Sequence, residues 1–229
     1  MRLIRTVLAV AVFCELSANA LAAGGPVAIV EEVQSRSAGV AAMDYVSAGK
    51  RIRLGPGDRL VLGYLTSCVR EEIVGGTVTI KTSGSKVVDG AVTRSKTACD
   101  GGQMALPQVA SKGSTVMVFR APPRHENAKG LPAPQLTLYG ASPLVDIAGS
   151  GTLVIERLDV PGEHYAIPLG SSQLLRGAFF DFAKSGKSLQ PGGLYRAQAG
   201  ERQIVFAVDR FAKPGQGPMV GRLLRLAAR

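Results

Sequence analysis

Residues 57–80, GDRLVLGYLTSCVREEIVGGTVTI, decide the fold class. Read as an extended chain, the stretch places Leu60, Leu62 and Tyr64 on one face with Cys68 in phase, and Arg59, Val61, Leu65 and Ser67 on the other. Cys68 is therefore expected on the core side of a strand, where a small sulfur packs well. A charged run, Arg70-Glu71-Glu72, follows, then Gly75-Gly76 as a turn, then TVTIK (77–81) with Val78 and Ile80 alternating with threonines. Working outward, KVVDGAVT (86–93) predicts a hairpin about Asp89-Gly90, and STVMVFR (114–120) a further strand. No segment carries a 12-residue pattern at the helical period of about 3.6. The class expected is all-β.

The second half repeats the pattern without repeating the sequence. Strands are expected at 136–139, 151–158, 164–169, 177–182, 193–197 and 203–209, separated by turns such as Pro161-Gly162 and Pro191-Gly192-Gly193. Between the halves, APPRHENAKGLPAPQ (121–135) has four prolines and no strand pattern, which marks a linker. The expected organisation is a β domain over 23–120, a Pro-rich linker over 121–135 and a small β-sandwich over 136–229. With no tryptophan in the chain, Phe179, Phe180, Tyr195 or Phe206 must anchor that sandwich.

The amino terminus fixes the expected compartment. Arg2 and Arg5 precede an apolar run, VLAVAVFC (7–14), and Ala20-Leu21-Ala22 offers small residues to a peptidase, the pattern of a signal peptide over 1–22. Glu15 ends the run well short of the roughly 20 apolar residues of a spanning helix. Cleavage would remove Cys14 and leave Cys68 and Cys99, in an oxidising compartment where a single bridge is the economical pairing. Two buried free thiols are the alternative. The formal net charge of +10 would fall to about +9 on cleavage and favours acidic partners; for an exported chain these are an anionic surface polymer such as a polysaccharide, lipid headgroups or an acidic protein face before nucleic acid.

The stretch from Val27 to Arg94, with AGKRIRLGPGDRLVLGYLTSCVREEIVGGTVTI (48–80) followed by KVVDGAV (86–92) and a later CDGG (99–102), resembles FecR-type periplasmic domains (about 27–120), through its order of glycine-led strand, GPGD turn, buried strand, charged strand and Gly-Gly hairpin. The likeness covers about a third of the chain. It implies a β-rich, non-catalytic module of cell-envelope sensing or assembly. Full FecR regulators add a cytoplasmic segment and a membrane helix, patterns this sequence does not show, so direct anti-sigma signalling is not expected. LQPGGLYRA (189–197) gives the second half a fainter resemblance to immunoglobulin-like or fibronectin-like modules.

Catalytic patterns are sparse. KSGKS (184–188) ends like a phosphate loop, yet Asp181 stands where the first glycine belongs and would repel phosphate. There is no G-x-S-x-G, and the two histidines, His125 and His164, leave too few ligands for a closed zinc site. No cofactor or metal is expected. The densest charge cluster, Arg70, Glu71 and Glu72, is the candidate partner-binding site, as a polar rim along a sheet edge. The expected function is an exported, non-catalytic binding or sensing module, with an envelope hydrolase using carboxylates as the alternative.

Overall fold

The computed structural model describes residues 25–101, 130–147 and 149–226. The expected signal segment over 1–22, the strand expected at 114–120, His125 and most of the expected linker lie outside the described residues. Within them the chain is all-β. The first sheet is built from β1 (Pro26–Gln34), β2 (Tyr45–Ser47), β3 (Arg51–Tyr64), β4 (Val69–Ile80), β5 (Ser85–Val88) and β6 (Ala91–Lys96). Its order is β2-β1-β3-β4, with both β5 and β6 paired to the far side of β4.

Gly75-Gly76 and Asp89-Gly90, read as turns, lie within continuous strand pairing instead. β4 runs unbroken from Val69 to Ile80, through Gly75 and Gly76. Thr77 faces Val88 and Val74 faces Ala91, so β5 and β6 lie end to end along β4 in one register rather than forming a hairpin. On the other side of β4, Leu54 faces Gly76 and Arg59 faces Val74, so the Gly55-Pro56-Gly57-Asp58 segment adds three residues to β3 at the same level. The three irregularities form one crease across three strands. Gly57, Gly75, Gly76 and Asp89 all have positive φ there. A side chain at Gly76 would strike the Val88 carbonyl, and one at Gly90 the Gly75 carbonyl, so the crease requires glycine at both.

The crease keeps one face inward. Strict alternation would put Ile73 and Val78 on opposite faces; the two glycines reset the phase, and both join Leu60, Leu62, Tyr64, Ile52 and Val30 in one buried cluster. The same phase carries Glu71 inward beside Ile73.

The second half has a five-stranded sheet in the order β10 (His164–Leu169), β9 (Gly151–Arg157), β12 (Leu194–Ala199), β13 (Arg202–Lys213), β7 (Leu136–Gly140). A smaller sheet joins β11 (Phe179–Asp181), β8 (Leu144–Asp146) and β14 (Leu223–Arg225), the last preceded by a short helix, α1 (Met219–Arg222). The pairings of β13 with β7 and of β14 with β8 are parallel. The six expected strands are present. At the core Tyr195 and Phe206 stack with centroids 5.6 Å apart, both fully buried, and Phe180 meets Phe182 edge-on. No helix among the described residues is long and apolar enough to cross a membrane.

The chain end returns to the first sheet. Ile29, Met43 and Leu65 share a buried cluster with Leu144, Phe179, Val220 and Leu223. Gly63 makes room for this contact, since a side chain there would fall 2.7 Å from Val220 Cγ1. The Met219 amide donates to Glu31 Oε1 at 2.7 Å, and the Thr137 amide to Asp100 Oδ2 at 2.7 Å.

Candidate functional site

Cys68 and Cys99 form a disulfide, with Cα atoms 5.6 Å apart across a sequence separation of 31. Cys68 is not in phase with β3: it lies in the turn after that strand, at φ +53°. The chain leaves the sheet at Leu65, which packs toward the second half rather than onto the face opposite Tyr64 in a continuing strand. The bridge ties this turn to residues 97–101 just after β6. There Gly101 lies so close that a side chain would strike the Thr66 carbonyl.

Arg70, Glu71 and Glu72 are on β4, which has neighbours on both sides, so no sheet edge passes through them. Glu71 is fully buried and accepts hydrogen bonds from the Ser85 amide at 3.0 Å, the Ser85 hydroxyl and Arg94 Nε at 2.7 Å. This carboxylate is internal structure, committed to β5 and β6. Arg70 and Glu72 lie on the outer face: Arg70 Nε donates to Glu31 at 2.9 Å, and Arg59 bridges Glu72 and Glu32. Arg70, Glu31, Lys96 and Met219 also border a polar cleft of about 510 Å³ where α1 meets the first sheet. The four glutamates are thus each paired with one of three arginines, Arg59 serving two of them, and none is left uncommitted.

The other side of the crease differs. Ile52 and Leu54 of β3 are buried, so Arg51 and Arg53 face outward. Register places Arg51 opposite Thr79 and Thr79 opposite Lys86, while Arg53 faces Thr77 and Thr77 faces Val88. Directly opposed residues share a face, so Arg51, Arg53 and Lys86 stand together, two threonines between them. All three are exposed, and none has an ion-pair partner among the described residues. Asp58 of the crease is engaged, its Oδ2 accepting from the Gly55 amide and the Ser35 hydroxyl. Those bonds, the serine's first, hold its carboxyl below the ordinary value. This cationic face was within reach of sequence reasoning, since RIRL (51–54) alternates charge with bulk. Its third member, Lys86, depends on register across β4, which no local pattern reveals.

His164 is an exposed strand residue of β10, opposite Glu156. KSGKS continues a turn after β11: the Ala183 amide donates to Asp181 Oδ1 and the Ser185 amide to the Asp181 carbonyl. Among the described residues, no group of three or more His, Cys, Asp or Glu side chains is placed to hold a metal ion. Comparison with known proteins gave no match to a family model, to a curated protein or to a solved structure.

Proposed function

We propose that this is an exported, non-catalytic binding module of the bacterial cell envelope that captures an anionic partner on the outer face formed by Arg51, Arg53 and Lys86. The observation that carries it is the asymmetry across the crease: four glutamates on one side are matched to arginines, and three cations on the other are unmatched. Uncommitted cations held in fixed register by a sheet meet a regularly charged polymer without new ordering of the backbone. The amino-terminal pattern, the disulfide and the resemblance to FecR-type domains support an oxidising compartment outside the cytoplasm.

The test is retention of the processed protein on immobilised polyuronate, at low and high salt, against a variant with Arg51, Arg53 and Lys86 all changed to Ser. Three exposed charge contacts of about 0.5–1 kcal/mol each predict a loss of about tenfold or more, and a shallower salt dependence. Equal retention of the two proteins would refute the site. Release of new reducing ends from the polymer would assign the hydrolase instead.

A further inference from the structure

Only two of the described aromatic residues are classed as exposed, and both belong to one irregularity in the second half. Phe211 is 73% exposed and Tyr139 is 38% exposed. Along the parallel pair of β13 and β7, Val208 faces Leu138 but Lys213 faces Gly140, so β13 takes three more residues than its neighbour to cover the step that contains Tyr139. Those residues lift Phe211 off the sheet, while Val208 and Ala212 on either side stay in the core. The bulge is braced: Asp209 Oδ1 accepts the Phe211 amide at 2.8 Å, and Arg210 lies over one face of the Phe211 ring, 4.6 Å from its centroid. The other face of the ring is left open.

An exposed phenyl group on a braced bulge adds nothing to the core and forgoes the burial that every other described phenylalanine has. Bulges recur where a strand aims a side chain at a ligand. The chemistry gathered here is an aromatic ring with Arg210 packed on one face and Lys213 two residues on, neither cation with an ion-pair partner among the described residues, while Asp209 is turned to the Phe211 amide and, with Asp100, lies on the Tyr139 side. The electron-rich face of an aromatic ring attracts the polarised axial C–H groups of a pyranose, and Lys213 complements a carboxylate or sulfate on the same sugar. An acidic protein partner would match the cations and leave the upright ring unused.

We propose that the bulge of β13, with Tyr139, is a saccharide-binding platform that takes an acidic sugar residue, its ring stacked on the face of Phe211 opposite Arg210 and its charge turned to Lys213. The inference rests on the polymer-binding function above, which it narrows to a polysaccharide, and it uses different residues.

The test is NMR titration of the processed protein with a short oligogalacturonate and with its neutral methyl ester, for the wild type, Phe211→Ala, Lys213→Ala and the Arg51/Arg53/Lys86 triple variant. Amide shifts at 209–213 and 139 are expected with the acidic oligomer. Phe211→Ala should weaken that binding at least about tenfold. Lys213→Ala should weaken the acidic oligomer more than the neutral one, and the triple variant should keep the shifts. Thermal unfolding checks that each variant is folded. Absence of shifts at these amides, or unchanged binding by Phe211→Ala, would overturn the platform, while loss of polyuronate retention in the triple variant would still uphold the proposed function. A fall from dimer to monomer in Phe211→Ala would also overturn it, by showing that a second copy occupies the ring.

Discussion

Arg222 Nη1 donates to Asp181 Oδ1 at 2.7 Å, and Nη2 to Oδ2 at 3.2 Å, with both side chains almost fully buried. The pair joins α1 near the chain end to the turn after β11, and Arg222 also reaches the Ser142 carbonyl at 3.2 Å. The aspartate that broke the phosphate-loop pattern is therefore half of a fork that fixes the last helix. Two charges withdrawn from water are tolerable only because each satisfies the other.

Arg222→Ala should accordingly cost about 3–5 kcal/mol, because it strands a buried carboxylate. Replacing the pair together, Arg222→Met with Asp181→Leu, should recover most of that loss, since the buried charge disappears with its partner. Denaturant unfolding of the three proteins measures both effects. A double variant as unstable as the single one would show that packing, not charge, dominates at this position.

Glu71 makes a parallel case in the first sheet. Its carboxylate satisfies the Ser85 amide and hydroxyl as well as Arg94, so Glu71→Ala leaves a buried amide and a guanidinium without their acceptor. A loss of about 1–3 kcal/mol for each of the two stranded Ser85 donors is expected, Arg94 being half exposed and able to turn to water. Glu71→Gln keeps the shape and one acceptor oxygen and should lose less, about 1–3 kcal/mol. Polyuronate retention at low temperature should be unchanged in the Gln variant, because Glu71 does not reach the outer face. Weaker retention by folded Glu71→Gln would return this residue to the partner-binding surface.

What the sequence showed depended on how locally each feature is encoded. β9, β10, β12 and β13 are runs of six or more residues rich in apolar side chains between turn residues and were legible, as was the pairing of Cys68 with Cys99 once Cys14 is read as part of an expected signal. Gly75-Gly76 and Asp89-Gly90 were misread because positive φ serves a turn and a bulge equally well; only the register of β5 and β6 against β4 separates the two. The burial of Glu71 follows from that register too, and from partners 14 and 23 residues away. β8 and β14, at three residues each, are too short to display a period, and their pairing joins segments almost eighty residues apart. The cationic face was half legible: Arg51 and Arg53 from alternation, Lys86 only from the sheet.

The disulfide closes a loop over a sequence separation of 31, and in the chain-entropy view it stabilises the fold by about 3–4 kcal/mol. Its position enlarges the consequence. Asp100, next to Cys99, accepts the Thr137 amide at the start of β7, and the Ala98 carbonyl lies against Gly221, where a side chain would fall 2.7 Å from it. Reduction should therefore loosen the contact between the halves before it melts either core. Hydrogen exchange under reducing conditions is expected to rise first at the Thr137 and Met219 amides, with the amides of β9 and β12 protected. Uniform loss of protection would show that the bridge stabilises the chain only globally.

Asp58 supplies the pH dependence. Bonds from the Ser35 hydroxyl first, and then from the Gly55 amide, lower its folded-state pKa below that of the unfolded chain. A group depressed in this way stabilises the fold fully above the ordinary carboxylate value of about 3.9, and its contribution disappears as pH falls through the lower, folded value. Ser35→Ala removes the leading cause and should raise the Asp58 pKa toward the ordinary range, so that the crease gains less from this ionised carboxyl and the contribution is gone at a higher pH than in the wild type. Carboxyl ¹³C titration of Asp58 in both proteins reads the shift directly. The direction matters for the cationic face: Gly55-Pro56-Gly57-Asp58 separates Arg53 from Arg59, and a carboxyl that stays ionised holds that bulge in register throughout the range where polyuronate is itself charged. An Asp58 pKa unmoved by Ser35→Ala would leave the Gly55 amide as the bond that sustains it.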